Sequence, residues 1–484
     1  PADRTLHLLL LFSPYPYLKL LPHLFLTFFL PLVLGTYFLA RDSLRNYVLL
    51  FASLLFYSWG EPIATLIMIV LIFISYFLAI CIENNILNLR KTFLALGVTI
   101  NLAVLFFYKY WMFFLTNTNL VLENLNFSPV FVPQIALPIG ISFYIFQIIS
   151  YLIDVYRQQV KAQSNFFMLA TYVSLFPQLI AGPIVRYETI ENDLKNRKNN
   201  LNNIFIGLRR FVIGLAKKVL IADQVALIAD KVFDTNVDTV PCFFAWIGVF
   251  AYTLQIYFDF SAYSDMAIGL GRIFNFHFLE NFNYPYSSCS IQEFWRKWHI
   301  SLSSWFRDYL YIPLGGNRKG NLRTYLNCYI VFGLCGLWHG SSWNFVIWGL
   351  YHGTGLIIER IGFKSILERL PRMLSNLYVW LFVMIGWVLF RAETLTQAYK
   401  FIKIMFTGNP LATVNSFTIA TDFLTYSNII VCFIGVLLSY PIFTKKYNKF
   451  KNKPLESFGI FILFLISLVF ATTSTFSPFI YFRF

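Results

Sequence analysis

The chain has 484 residues, 58% hydrophobic and 20% aromatic but only 13% charged, with a formal net charge of +15. A soluble protein carries about twice that charged share, so composition excludes a water-soluble enzyme and points to an all-α, multi-spanning membrane protein. The basic residues sit in short stretches between apolar runs, which suits membrane-flanking loops and argues against a nucleic-acid partner.

Near the start, "LHLLLLF" is too short to cross a bilayer and meets "SPYPY" at once, so it is not read as a signal peptide. Apolar windows able to span are predicted near 20–40, 46–59, 63–82, 92–115, 135–153 and 165–181. They resume near 241–271, 322–338, 343–358, 376–391, 427–443 and 456–474. "ALPIGISFYIF" and "FPQLIAGPIVRY" are interrupted by Gly and Pro, as in segments that line a cavity and do not face lipid. The chain therefore reads as one membrane domain over 1–484. N-terminal spans occupy 20–181, a re-entrant core 186–353, C-terminal spans 354–476 and an aromatic tail 477–484.

Three more polar stretches are placed in the cytoplasm by their positive charge: 186–218, 284–323, and 444–453 with its five lysines. One further span, 456–474, then carries Tyr481 to the opposite face, where it reads as an aromatic anchor or as a reactive phenol. The six cysteines (Cys81, Cys242, Cys289, Cys328, Cys335 and Cys432) are scattered without C-x-x-C, so neither a disulfide framework nor a metal site is expected.

Ionisable groups in apolar spans are functional candidates because burying them is costly. His339, in "GLCGLWHGSSWNF", precedes a break at Gly340-Ser341-Ser342 that offers a helix N-cap. A packed, hydrogen-bonded histidine explains it equally well at this level. In "IQEFWRKWHISLSSWFRDYLY", Trp295, Trp298, Leu302, Trp305 and Tyr309 make one stripe at helical spacing. Gln292, Arg296, His299 and Ser303 fall on a polar face, which predicts an interfacial helix with His299 solvated. Asp259 and Asp265 lie inside "YTLQIYFDFSAYSDMAIGLG" and support a rival reading as a transporter or channel for a small solute. Neither G-x-S-x-G nor H-E-x-x-H occurs. Embedded histidines beside basic loops suit acyl transfer, with histidine as general base and a polyanionic thioester as donor.

The segments "LPIGISFYIFQIISYLIDVYR", "FPQLIAGPIVRY", "YTLQIYFDFSAYSDMAIGLGR", "NFNYPYSSCSIQEFWRKWHISLSSWFRDYLYIPLGGNR" and "LWHGSSWNFVIWGLYHG" resemble, in this order, the membrane-bound O-acyltransferase (MBOAT) family. The nearest branch holds bacterial alginate and peptidoglycan O-acetyltransferases. The resemblance implies a ring of transmembrane helices with re-entrant segments around a central tunnel, in the bacterial cytoplasmic membrane. It implies His339 as catalytic base and His299 as its assistant. Arg307, Asp308 and Tyr309 would shape the tunnel, with Arg296, Ser303, Trp338 and Asn344 as further substrate-positioning residues. No bound cofactor is implied; acetyl-CoA is the expected acyl donor. The tail "FIYFRF" is similar to an aromatic motif in which the tyrosine, here Tyr481, takes the acyl group and passes it to an extracytoplasmic serine-dependent glycan O-acetyltransferase. A scaffold that only docks such a transferase is the third reading.

Overall fold

The computed structural model describes residues 24–198, 200–409, 425–443, 454–473 and 479. The described residues contain helices and connections and no strand, as expected where each backbone group in a membrane must be satisfied within its own segment. Among the described residues, five helices are long and apolar enough to cross a membrane: Pro62–Glu83, Arg90–Asn124, Cys242–Ile273, Arg372–Arg391 and Pro454–Thr472.

The 32-residue Cys242–Ile273 helix is the most enclosed of these and forms the axis of the packing. Leu201–Ala216 and Asp223–Asp234 lie against one side of it, joined by a π-helical turn at Lys217–Ala222. Arg372–Arg391 lies against another part of its surface. By contrast, Pro62–Glu83 and Arg90–Leu105 pack around Ile141–Tyr156 toward the N-terminal side.

Asn321–His339 and Trp343–Ile358 form a tight hairpin. A Cβ on Gly336 would collide with the Phe345 carbonyl oxygen, and one on Gly349 with that of Phe332. Only glycine lets these two backbones approach so closely. That approach fixes the hairpin's bend, at which His339 is the last helical residue.

Several predicted spans need correction. The window 165–181 is not continuous: Phe166–Ser174 ends before Leu175, and a short helix, Phe176–Leu179, restarts with Pro177 near its N-terminus. The window 135–153 becomes helical only at Ile141, after Gly140 at φ +79°. The window 92–115 is longer than read and carries a π-helical turn at Phe106–Tyr110. The basic stretch 186–218 is mostly helical, Tyr187–Asn196 and Leu201–Ala216, and Lys218 at its end is only 6% exposed. The lysine-rich stretch 444–453 lies outside the described residues.

The helix expected through the tryptophan stripe is two helices, Ile291–Lys297 and Ile300–Phe306. His299 stands between them in the left-handed conformation, φ +43° and ψ +56°. The stripe residues Trp295, Trp298, Leu302, Trp305 and Tyr309 are all buried, as their spacing required. The polar face is not preserved. The turn at His299 swings its ring inward, where it is fully buried, while Arg296 remains exposed. The solvated reading of His299 is therefore wrong.

Candidate functional site

His339 closes the Asn321–His339 helix, whose last carbonyls need partners from outside it. Those partners come from the π-helical turn at Phe106–Tyr110. Lys109 Nζ donates to the carbonyl oxygens of Trp338 and His339, the latter at 3.3 Å, and Tyr110 OH donates to that of Leu337 at 2.9 Å. A cation at a helix C-terminus is favoured by the helix dipole. Lys109 is buried and also reaches Ser142 Oγ at 3.3 Å. Its position inside "LFFYKYWMFFL" was a signal in the sequence, since a lysine in an apolar span is rarely idle. Ser342 occupies the N-cap position of Trp343–Ile358, but its side chain makes no capping bond.

The His339 ring is boxed by aromatic edges: Trp338 at 5.0 Å, Trp348 at 5.1 Å and Phe390 at 5.3 Å between centroids, all T-shaped. Trp338 also borders His299, at 6.0 Å. Two histidines 40 positions apart in the chain thus flank one indole. Phe143 and Phe146 complete the wall around Trp338, and Phe146 stacks on Trp305 at 3.9 Å.

The tautomer of His299 follows from its partners. The backbone N–H of Ser301 can only donate, and it faces Asn281 Oδ1 at 3.2 Å, so that atom is the amide oxygen. Asn281 Nδ2 in turn donates to Ser264 Oγ at 3.0 Å. His299 Nδ1 lies 3.1 Å from the same Oδ1 and must therefore carry the hydrogen. Nε2 is left with the lone pair, the state a proton acceptor requires. Residues preceding His299 supply this arrangement: the chain at Asn281 pairs its backbone with Ile300.

A third histidine, His352, was not singled out from the sequence. Trp295 Nε1 donates to its Nδ1 at 3.2 Å, so Nε2 carries the hydrogen; it faces Gly386, where a Cβ would come within 2.9 Å. Its ring lies 5.0 Å from Trp348 and thus one aromatic step from His339.

Beside these rings lies a cluster of charged and polar groups. Arg186 donates to Asp308 Oδ2 at 2.7 Å and Arg307 to Oδ1 at 2.6 Å. Burial pushes the Asp308 carboxyl up, and these arginines more than offset it, holding it below the ordinary carboxylate range. Tyr309 OH reaches both oxygens of Asp154 at 2.8 Å, and the guanidinium groups of Arg157 and Arg186 lie over its ring at 5.3 and 5.1 Å. Arg307, Asp308 and Tyr309 are therefore brought together, one helix away from His299.

Other predicted positions fall elsewhere. Asn344 is engaged with the Ala392 carbonyl at 2.6 Å, tying the hairpin to the end of Arg372–Arg391. Ser303 bonds the Trp298 carbonyl at 3.2 Å across the helix break. Asp259 pairs with Lys218 at 2.6 Å, and Asp265 with Arg210 at 2.8 Å and Lys217 at 2.6 Å. Tyr481 lies outside the described residues.

The model of the membrane-bound O-acyltransferase family, MBOAT, matches residues 55–396. The chain belongs to this family. It is 40% identical to a probable alginate O-acetylase, AlgI, of Azotobacter vinelandii, over 96% of this chain and 99% of that protein. It is 35% identical to a peptidoglycan O-acetyltransferase of Helicobacter pylori, over 95% and 96% respectively. A teichoic acid D-alanyltransferase of Bacillus subtilis is more distant, 28% identical over 45% of this chain and 57% of that protein. The protein is thus a membrane acyltransferase. The MBOAT match contains Lys109, His299, His339 and His352, whereas Phe479 and Tyr481 lie beyond it.

Proposed function

We propose that this acyltransferase takes an acetyl group from a cytoplasmic thioester, acetyl-CoA, and passes it outward for O-acetylation of a cell-envelope polysaccharide, peptidoglycan or alginate-like. The observation that carries the reading is the pair of buried histidines from different segments on either side of Trp338. Bulk water has little place among those rings, so a thioester there is shielded from hydrolysis.

In this reading His339 is the base. It takes the proton from the acceptor hydroxyl as the oxygen attacks the thioester carbonyl, and returns it to the departing CoA sulfur. His299, held at Nδ1 by Asn281 and so left with the lone pair on Nε2, positions or assists. The acceptor is the phenol of Tyr481. A phenol titrates near pH 10, below an alkyl alcohol, and so is easier to deprotonate, and its ester has the better leaving group for onward transfer. A serine-dependent extracytoplasmic transferase would then attack that ester, releasing the phenol and acetylating the glycan.

Arg157, Arg186 and Arg307 around Tyr309 and Asp308 are chemically suited to the phosphates of the donor, and Trp338 to the wall of the tunnel. The catalytic core would then be 186–353, between spans on either side, with the tail outside the bacterial cytoplasmic membrane. The transporter reading loses its main support, because Asp259 and Asp265 are both engaged by bases.

The test is turnover by the full chain in lipid nanodiscs with radiolabelled acetyl-CoA. Free CoA and acetyl-Tyr481 should appear, and both should vanish in His339→Ala. Equal turnover in that variant, or transport of intact solute without CoA release, would overturn the assignment.

A further inference from the structure

Phe479, near the C-terminus, packs on the Cys242–Ile273 helix. Its ring lies T-shaped against Tyr263, 5.0 Å between centroids, and Lys218 Nζ stands 4.6 Å from its centre. Lys218 is buried and held on its other side by Asp259 at 2.6 Å and Asp223 at 2.9 Å. Two carboxylates thus fix the direction in which the ammonium faces. A buried ion cluster is a weak source of net stability, because desolvation offsets most of the attraction. A desolvated ammonium aimed at an aromatic face, by contrast, is where a cation–π contact is strongest.

The placement of this contact relates it to the histidines. Asp259 and Tyr263 are four residues apart on the Cys242–Ile273 helix and share a face. Phe260, between them, lies T-shaped against His299 at 4.6 Å. One turn of one helix, about 5.4 Å of rise, therefore carries both the contact for Phe479 and a ring packed on His299. Tyr481 follows Phe479 by two residues, which reach at most about 7 Å.

We propose that Lys218, oriented by Asp259 and Asp223, forms with Tyr263 a seat for the C-terminal segment, with Phe479 as the anchoring ring. The seat explains why a lysine and two aspartates are kept inside the protein, and why an aromatic precedes the tyrosine by two positions. Its consequence for acyl transfer rests on Tyr481 being the carrier; the seat itself does not.

The test uses the full chain in nanodiscs with p-benzoylphenylalanine at position 479. Photo-adducts should map to the peptides containing 217–223 and 259–266, and adducts only to lipid or to other helices would overturn the seat. Phe479→Leu removes the ring and should raise the rate of proteolytic release of the tail by about 10-fold. Phe479→Trp keeps a ring and should release at the parent rate; Leu and Trp behaving alike would also overturn it. Adducts at the seat without acetyl-Tyr481 would leave the seat standing and remove the carrier. Acetyl-Tyr481 with adducts elsewhere would do the reverse.

Discussion

The Cys242–Ile273 helix separates two very different polar regions. Around Asp259 and Asp265 stand full charges: Lys218, Arg210 and Lys217, with Glu280 also engaging Arg210. Around His299 and His339, one residue further along the same helix at Phe260, the rings meet other rings and a neutral amide, and the Lys109 ammonium donates to backbone carbonyls. Charges that neutralise each other hold helices in place but leave little for a substrate. A histidine whose hydrogen is fixed on one nitrogen, as at His299, keeps a lone pair on the other. The contrast teaches that a buried carboxylate in a span is not by itself a functional site; its partners decide.

The sharpest way to break this contrast is at His339. His339→Ala should lower CoA release from acetyl-CoA by about 10²–10⁴-fold, the usual share of a general base, with thermal stability little changed. Asp259→Ala should do the opposite. It leaves Lys218 undercompensated and should cost about 3–5 kcal/mol of stability, read by thermal unfolding in detergent, while CoA release per folded molecule falls far less than in His339→Ala. Loss of turnover at full stability would mean that the ion cluster does chemistry after all.

Two smaller effects sharpen the comparison. Asn281→Ala removes the acceptor that fixes the hydrogen on His299 Nδ1, and kcat should fall by about 10–100-fold with KM for acetyl-CoA unchanged. A change in KM alone would make Asn281 a binding residue instead. Lys109→Met leaves the Trp338 and His339 carbonyls without their donor and should cost about 1–3 kcal/mol, read as a lower Tm with a modest fall in turnover.

The helical class, the spans at 63–82, 241–271, 376–391 and 456–474, and the burial of the tryptophan stripe were legible because apolar length and 3.6-residue spacing are local properties. His339 was legible from its place between two apolar runs. The inward turn of His299 was not, since periodicity assumes an unbroken helix and a left-handed residue interrupts it, taking its own side chain off the expected face. That conformation costs roughly 1–2 kcal/mol for a side chain other than glycine; here Asn281 and Ser301 surround it.

Lys109, Asn281 and His352 show the remaining gap. Each sits far in sequence from the group it supports: Lys109 from Trp338 and His339, Asn281 from His299, and His352 from Trp295. The sequence by itself determined a helical membrane protein with histidines in apolar surroundings, and its ordered motifs pointed to the acyltransferase family. Only the tertiary structure decided which histidine nitrogen carries the hydrogen, that Asp259 and Asp265 are engaged by bases, and that Phe479 meets Lys218. Hydropathy and spacing act along one chain segment, whereas hydrogen bonds, ion pairs and ring contacts depend on which segments the fold brings together.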